Sequence, residues 1–335
     1  MDLATYLVRP FTDRDYEASS RIWATVNPEF SFSADEERHW ESLLNNPSYI
    51  HERWVVVERS SGEAVATAEM GHSPHMFHPQ KLWVGIAVVP AHRGRGIGRS
   101  LASLIESEAA AHRISTLWAT ARADDARSVA FSRRYGFTEQ RRAWVSTLDL
   151  QDASLTEPAN HSAKLEAEGI RFSTLAEEGP DKDETRRRLY ALVTEAARDI
   201  PRVGEYTPVS YAQFVKALAS PSRLPEGSFL ASVGDRYVGL SDLESTATHP
   251  DTMRVGLTAT LREYRGKGVA SELKRRALAF ARASGVRYLR TVNDSLNAPI
   301  WAINQRFGFR VTFEWLNLER QLVGEADAPV ASATP

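Results

Sequence analysis

At 335 residues the chain is long for a single hydrophobic core, so two domains are expected. Its 41 basic residues are balanced by 43 acidic ones, which argues against a nucleic-acid partner, and the lack of cysteine excludes disulfides, thiolate metal sites and cysteine nucleophiles. No apolar run approaches a membrane span and the opening MDLATYLVRPF carries no signal-peptide pattern, so a cytoplasmic protein with no membrane partner is expected.

The first elements follow in order. YLVRPF reads as a strand, with Thr12 and Asp13 as caps for a helix after it. RWVVVER and AVATAEM read as a hairpin around Ser60, Ser61 and Gly62. LWVGIAVV is a near-continuous apolar run, as in a strand buried on both faces. HRGRGIGRSLASL follows at 92–104, and Ile97, Leu101, Leu104 and Ile105 share one helical face. TLWATAR is a further strand, DARSVAFSRRYGF a helix stopped by Gly136, and RAWVSTLDL a closing strand.

The same order then returns. IRFSTLA reads as a strand and KDETRRRLYALVTEAA as a helix; SFLASV and RYVGLSDLES pair around Gly234 and Asp235. MRVGLTATL precedes YRGKGVASELKRR, whose helix face is Val269, Leu273, Ala277 and Phe280. YLRTVND, APIWAINQRFGF and RVTFEWLNLE complete the set. Gly96 and Gly268 lie 172 residues apart, and so do Gly136 and Gly308. Spacing preserved over two landmarks reads as a duplicated domain, at 1–150 and 170–322, with a polar linker at 151–169 and a disordered tail at 323–335.

The glycine phrase stands between a strand and an amphipathic helix. Glycine lets the backbone turn tightly and approach a ligand. The first helical amides lack acceptors and face the positive end of the helix dipole, which makes an anion site. Arg93, Arg95 and Arg99 add charge in the first copy, Arg265 and Lys267 in the second. The phrase lacks the Lys-Ser/Thr ending of the NTPase loop, and Gly94, Gly96 and Gly98 are misspaced for the dinucleotide fingerprint. His72, His75 and His78 in HSPHMFHP have a zinc-like spacing, but prolines extend that loop and no cysteine completes a set. No metal is expected; the loop is expected to flank an acceptor pocket, with one histidine available as a base.

R-x-x-G-x-G/A between a strand and a helix, followed by a strand, a helix and an aromatic-Gly-Phe ending, resembles the GNAT superfamily of acetyl-CoA-dependent N-acetyltransferases. The paired arrangement is similar to the mycothiol synthase type. The resemblance implies an α/β (α+β) fold in two tandem copies, each a mixed, mostly antiparallel sheet flanked by helices. It implies acetyl-CoA as cosubstrate, with the pyrophosphate on the amides of Arg93, Gly94, Arg95, Gly96, Ile97, Gly98 and Arg99, or of Arg265, Gly266, Lys267, Gly268, Val269, Ala270 and Ser271. The pantetheine arm would pair with Val88 and Val89, or with Thr260 and Leu261, and an amide there would face the thioester oxygen.

The departures matter as much. Where many members carry a tyrosine acid, this chain has Ser132 and Asn304; where many carry a glutamate base, it has Leu82 and Arg254, with Glu69, Asp242 and Glu244 on the preceding strands. Asn297 matches the family's CoA-orienting asparagine and also reads as a helix cap, whereas the first copy has Asp125 there. Asn293 precedes it in TVNDSLN. Acetyl transfer to a small-molecule primary amine is therefore expected in the second half. Asp242, Glu244 and Asn304 are its candidate catalytic residues, and the two acids, two apart on a strand, form a carboxylate pair. The alternative is a non-catalytic acyl-CoA-binding or sensing protein. A monomer or homodimer is expected.

Overall fold

The structure, a computed structural model, describes residues 1–152 and 160–322. The elements run β1 (Tyr6–Pro10), α1 (Tyr16–Val26), α2 (Ala34–Leu43), β2 (His51–Glu58), β3 (Ala64–Gly71), β4 (Lys81–Val88), α3 (Ile97–Ala111), β5 (Thr116–Arg122), α4 (Ala126–Arg134) and β6 (Thr138–Asp149). Then come α5 (Asn160–Ala167), β7 (Arg171–Thr174), α6 (Leu175–Glu178), α7 (Asp183–Ala197), α8 (Tyr211–Leu218), β8 (Phe229–Val233), β9 (Arg236–Ser245), β10 (Thr252–Thr260), α9 (Val269–Ala283), β11 (Tyr288–Asp294), α10 (Ala298–Arg306) and β12 (Arg310–Gln321). Residues 153–159 of the expected linker and the whole expected tail at 323–335 lie outside the described residues.

All twelve strands join one mixed, mostly antiparallel sheet in the order β1-β2-β3-β4-β5-β12-β6-β11-β10-β9-β8-β7. The last strand of each repeat is exchanged. β6 pairs over residues 143–149 with the whole of β11 of the second repeat, while β12 lies between β5 and β6. Strand alternation sends Trp54 and Val56 into a core with Ile97, Leu101 and Ile105 of α3. Val55 faces the other way, toward Ile22 of α1. In the second repeat α7 and α9 both pack on β9.

Three helices escape the apolar-periodicity reading, α2, α6 and α8, the second of them cutting short the strand expected over IRFSTLA. Each carries a capping box: Ser33 with Glu36, Thr174 with Glu177, and Ser210 with Gln213. The outer two matter most, because α2 and α8 meet and close one face where the halves join. Thr12 caps a single short turn, and Asp15 stands at the start of α1.

The parallel pairs are short. β4 bonds β5 only over Lys81–Trp83, and β10 bonds β11 only over Thr252–Arg254; beyond these residues each pair parts and leaves a slot.

Candidate active site

The glycine phrases start α3 and α9 as their composition demands. Gly94 and Gly96 have φ of 80°, Gly266 73° and Gly268 93°. Gly96 and Gly268 are the left-handed residues before the helices, where a side chain would strain the backbone. A Cβ at Gly94 or Gly266 would meet nothing within 4 Å, so the backbone there is open to a ligand. A Cβ at Gly96 would meet the Met1 nitrogen at 2.7 Å, so Met1 covers the first loop at Gly96 while Gly94 stays open. Gly98 lies close under the Phe131 ring, at 3.3 Å from a Cβ.

The arginines that open the two phrases do the same job. Arg93 Nε donates to the Val88 carbonyl and Arg265 Nε to the Thr260 carbonyl, each at 3.0 Å. They tie each loop to the end of the strand before it. Around them the charge differs. Arg95 donates to the Tyr6 hydroxyl at 3.0 Å in the first loop. In the second, Arg265 and Arg262 grip Asp199, and these bonds hold its carboxyl down at about 2. Lys267 lies over the Tyr264 ring. Ile97 and Val269 point into the core, so only their backbone faces the loop. Ser271 is buried and accepts from Arg306.

Two expected backbone donors are already engaged. Val89 N–H bonds the Val65 carbonyl at 3.0 Å, and Leu261 N–H bonds the Val238 carbonyl at 2.9 Å. Neither amide is available to a thioester. Alternation turns the next amides back, those of Val88 and Thr260, the other way, into the slots. The slots are not equivalent. β3 and β4 pair in unbroken register, whereas β10 skips against β9 between Val255 and Thr258. Two residues there, Gly256 and Leu257, oppose Asp242: a bulge, a device that re-aims backbone groups.

A cavity of about 870 Å³ runs across the halves on the face closed by α2 and α8. It takes walls from both slots, including Gly85 of β4, Thr120 of β5, Val292 of β11 and Leu257 of β10. Asp242 and Glu244 both reach it. Asp242 is 5% exposed and its Oδ1 has no hydrogen-bond partner. A Cβ on Gly256 would meet that oxygen at 2.7 Å, so glycine is what makes room for the carboxylate. Burial pushes the Asp242 carboxyl up to about 6; Arg223, at 3.7 Å, opposes the shift and Glu244 adds to it. The expected mutual repulsion of the two acids is thus secondary to desolvation. Glu244 instead lies 3.5 Å from Arg254, which bonds Glu36 of α2 at 2.6 Å. Arg254, at the family's glutamate position, is therefore a buried bridge between the halves.

Asn304 does not stand among reacting groups, contrary to expectation. It is fully buried, its Oδ1 accepts from Lys274 Nζ at 2.7 Å, and its Nδ2 donates to Asn293 Oδ1 at 2.7 Å. As an ammonium, Lys274 can only donate, which turns Oδ1 of Asn304 toward it and leaves Nδ2 for Asn293. Lys274, on α9, escaped the sequence reading because a lysine on an amphipathic helix reads as solvated; burial pulls its amine down to about 7. Asn297 stands before α10 without a side-chain cap bond, whereas Asp125 caps α4 through the Arg127 and Ser128 amides. Ser132, at the other tyrosine position, bonds the Ser128 carbonyl.

The three histidines do not converge. His72 Nδ1 accepts from the Ile50 amide, His78 Nδ1 from the Gln80 amide, and His75 turns into the cavity wall. Among the described residues the group with metal-like spacing is instead Glu52, Glu108 and His112. Among them too, no helix is long and apolar enough to cross a membrane.

The acidic residues of the first half around Arg53 also face this cavity: Glu37, Glu41 and Glu69, with His51 beside them. Only Glu69 was marked by its strand position. The others sit on an unforeseen helix and on β2, and no local pattern links them.

The model of the acetyltransferase (GNAT) family matches residues 18–137 and again 189–309. The mycothiol acetyltransferase of Corynebacterium glutamicum is 26% identical over 226 residues, which cover 68% of this chain and 71% of that protein. A tandem GNAT protein from the clavulanic acid biosynthesis pathway superposes with a TM-score of 0.71 at 21% identity, covering 94% of this chain and 98% of that one. A GCN5-related N-acetyltransferase from Sphaerobacter thermophilus gives 0.67 at 24% identity, covering 94% and 95%.

Proposed function

Because this chain belongs to the GNAT acetyltransferase family, and is thereby an acyltransferase, we propose that it moves an acetyl group from acetyl-CoA to a primary amine of a small molecule, with the chemistry in the C-terminal half. The observation that carries this reading is Asp242: a buried carboxylate with an unpartnered oxygen, set against the β10 bulge and facing the shared cavity.

The residues present fit the cosubstrate. Gly266 leaves the second loop open, and the amides at the start of α9 suit a pyrophosphate. When bound, acetyl-CoA supplies the activated acyl group. Asp242 takes a proton from the incoming amine as its nitrogen forms the new C–N bond. The C–S bond breaks and the sulfur leaves as a thiolate. The Thr260 amide faces the slot where negative charge develops on oxygen, and a fixed donor there is worth about 3 kcal/mol. No tyrosine stands at the acid position, so the thiolate takes its proton from solvent, and Asp242 gives up to solvent the proton it took as the amide product leaves. The first half, with unbroken β3–β4 register and its loop covered by Met1, acts as the partner that shapes the cavity.

Replacing Asp242 with asparagine tests the assignment. Turnover across a panel of amines should fall by about 10²–10⁴-fold, with acetyl-CoA affinity retained. Full turnover in that variant would overturn it.

A further inference from the structure

The cavity's charges do not balance. Around Arg53, Glu37 and Glu41 each accept at 2.8 Å and Glu69 stands at 3.7 Å. His51, 3.7 Å from Glu41, is pushed toward its neutral form by burial. Three carboxylates thus face one guanidinium, with Arg53 and Glu37 largely buried and Glu41 and Glu69 partly open to water. Burial pushes Glu37 upward although Arg53 opposes it, whereas at Glu41 burial is outweighed by the bonds from Tyr16 and Arg53, which hold that carboxyl below its usual range. At the other end Asp242 keeps an unpartnered oxygen.

Both ends line one cavity, and α2 ties its two sides together: Glu36 reaches Arg254 of the second half, beside Glu244, and the next residue, Glu37, reaches Arg53 of the first. Between the ends the walls are apolar and aromatic: Trp23, Phe30, Phe32, Trp83, Leu240 and Leu257. Gly85 keeps this passage open, since a Cβ there would meet the Trp23 ring and Glu69 at 3.2 Å.

We infer that the acceptor is a dication: a primary amine presented to Asp242, an apolar spacer along the aromatic walls, and a second cationic group held by Glu37, Glu41 and Glu69. This rests on the acetyl-transfer reading and names its substrate class. A second cation would offset the excess negative charge beside Arg53, which a neutral tail would leave in place.

The test uses α,ω-diaminoalkanes from four to ten carbons beside 1-aminoalkanes of equal length, with acetyl-CoA and the full chain. For the diamine that spans the cavity, kcat/KM should exceed that of its monoamine more than tenfold, mostly through KM. In Glu37→Gln that ratio should fall by at least threefold. Monoamines that match diamines at every length would overturn the inference while leaving acetyl transfer standing. If no amine in the set is acetylated, the acetyl-transfer reading is what fails; calorimetric titration of wild-type protein with 1,8-diaminooctane and octylamine then still decides the charge preference, and equal affinities would overturn it.

Discussion

Asp242 and Lys274 are two buried ionisable groups with opposite consequences. As the proposed base, Asp242 would act only when ionised, and its carboxyl is raised to about 6, so kcat/KM should climb as pH rises through that value and then level off. A profile flat from pH 5 to 8 would remove it as the base. Lys274 is fully buried with its amine lowered to about 7. Its folded value lies below that of an unfolded lysine, about 10.4, so between those values the unfolded chain holds the extra proton. The penalty is full below pH 7 and is relieved as pH rises toward 10. Lys274→Met should therefore be more stable than the parent at pH 6–7, by on the order of 3 kcal/mol, and the gap should narrow by pH 10. Denaturant melts at both pH values check this; a gap that does not change with pH would show the amine titrating normally.

The two loop-helix units look alike in sequence and differ in what surrounds them. Both use left-handed glycines, and both tie an arginine to the strand end. Only β10 carries the bulge, and only the first loop is covered by Met1. Bulky replacement of Gly268 strains a left-handed position and blocks the approach of a pyrophosphate, so Gly268→Trp should weaken acetyl-CoA binding more than tenfold and abolish turnover. Gly96→Trp should leave most turnover intact after correction for folded fraction. The reverse pattern in paired assays would place the chemistry in the first half. Much of this was legible in the chain: the strand, glycine phrase and helix were each marked by composition and period. The bulge was not, because MRVGLTATL alternates no differently from an unbroken strand. It appears only when two residues of β10 must oppose one of β9.

At the scale of the molecule, strand exchange makes each half incomplete without the other. β5 takes its outer partner from β12, and β11 takes its partner from β6. A fragment ending at residue 152 would expose both edges that β12 covers, those of β5 and β6, and unpaired edges invite aggregation. Expressed alone it should be insoluble or molten, and co-expression with residues 160–335 should restore a soluble complex. A monomeric, cooperatively melting fragment would count against this. The sheet also carries ion pairs from repeat to repeat, Arg142 to Glu314 at 2.6 Å and Arg141 to Asp294 at 2.8 Å.

The chain by itself determined the family, the duplication and the glycine turns that start α3 and α9, because each rests on a short local pattern: a glycine that must adopt positive φ, a helix that must start there, an apolar period repeated at fixed spacing. It also placed Asp242 on a strand with Glu244. What the tertiary structure decided is everything that depends on distant residues meeting. Asn304 became part of the scaffold because Lys274 and Asn293 claim its two ends. Val89 and Leu261 lost their amides to neighbouring strands. The last strands crossed between repeats, since a strand's own sequence encodes its faces but not which edge it will pair with. The acidic corner around Arg53 formed from α2, β2 and β3, whose contributions are ordinary until the fold brings three carboxylates around one guanidinium.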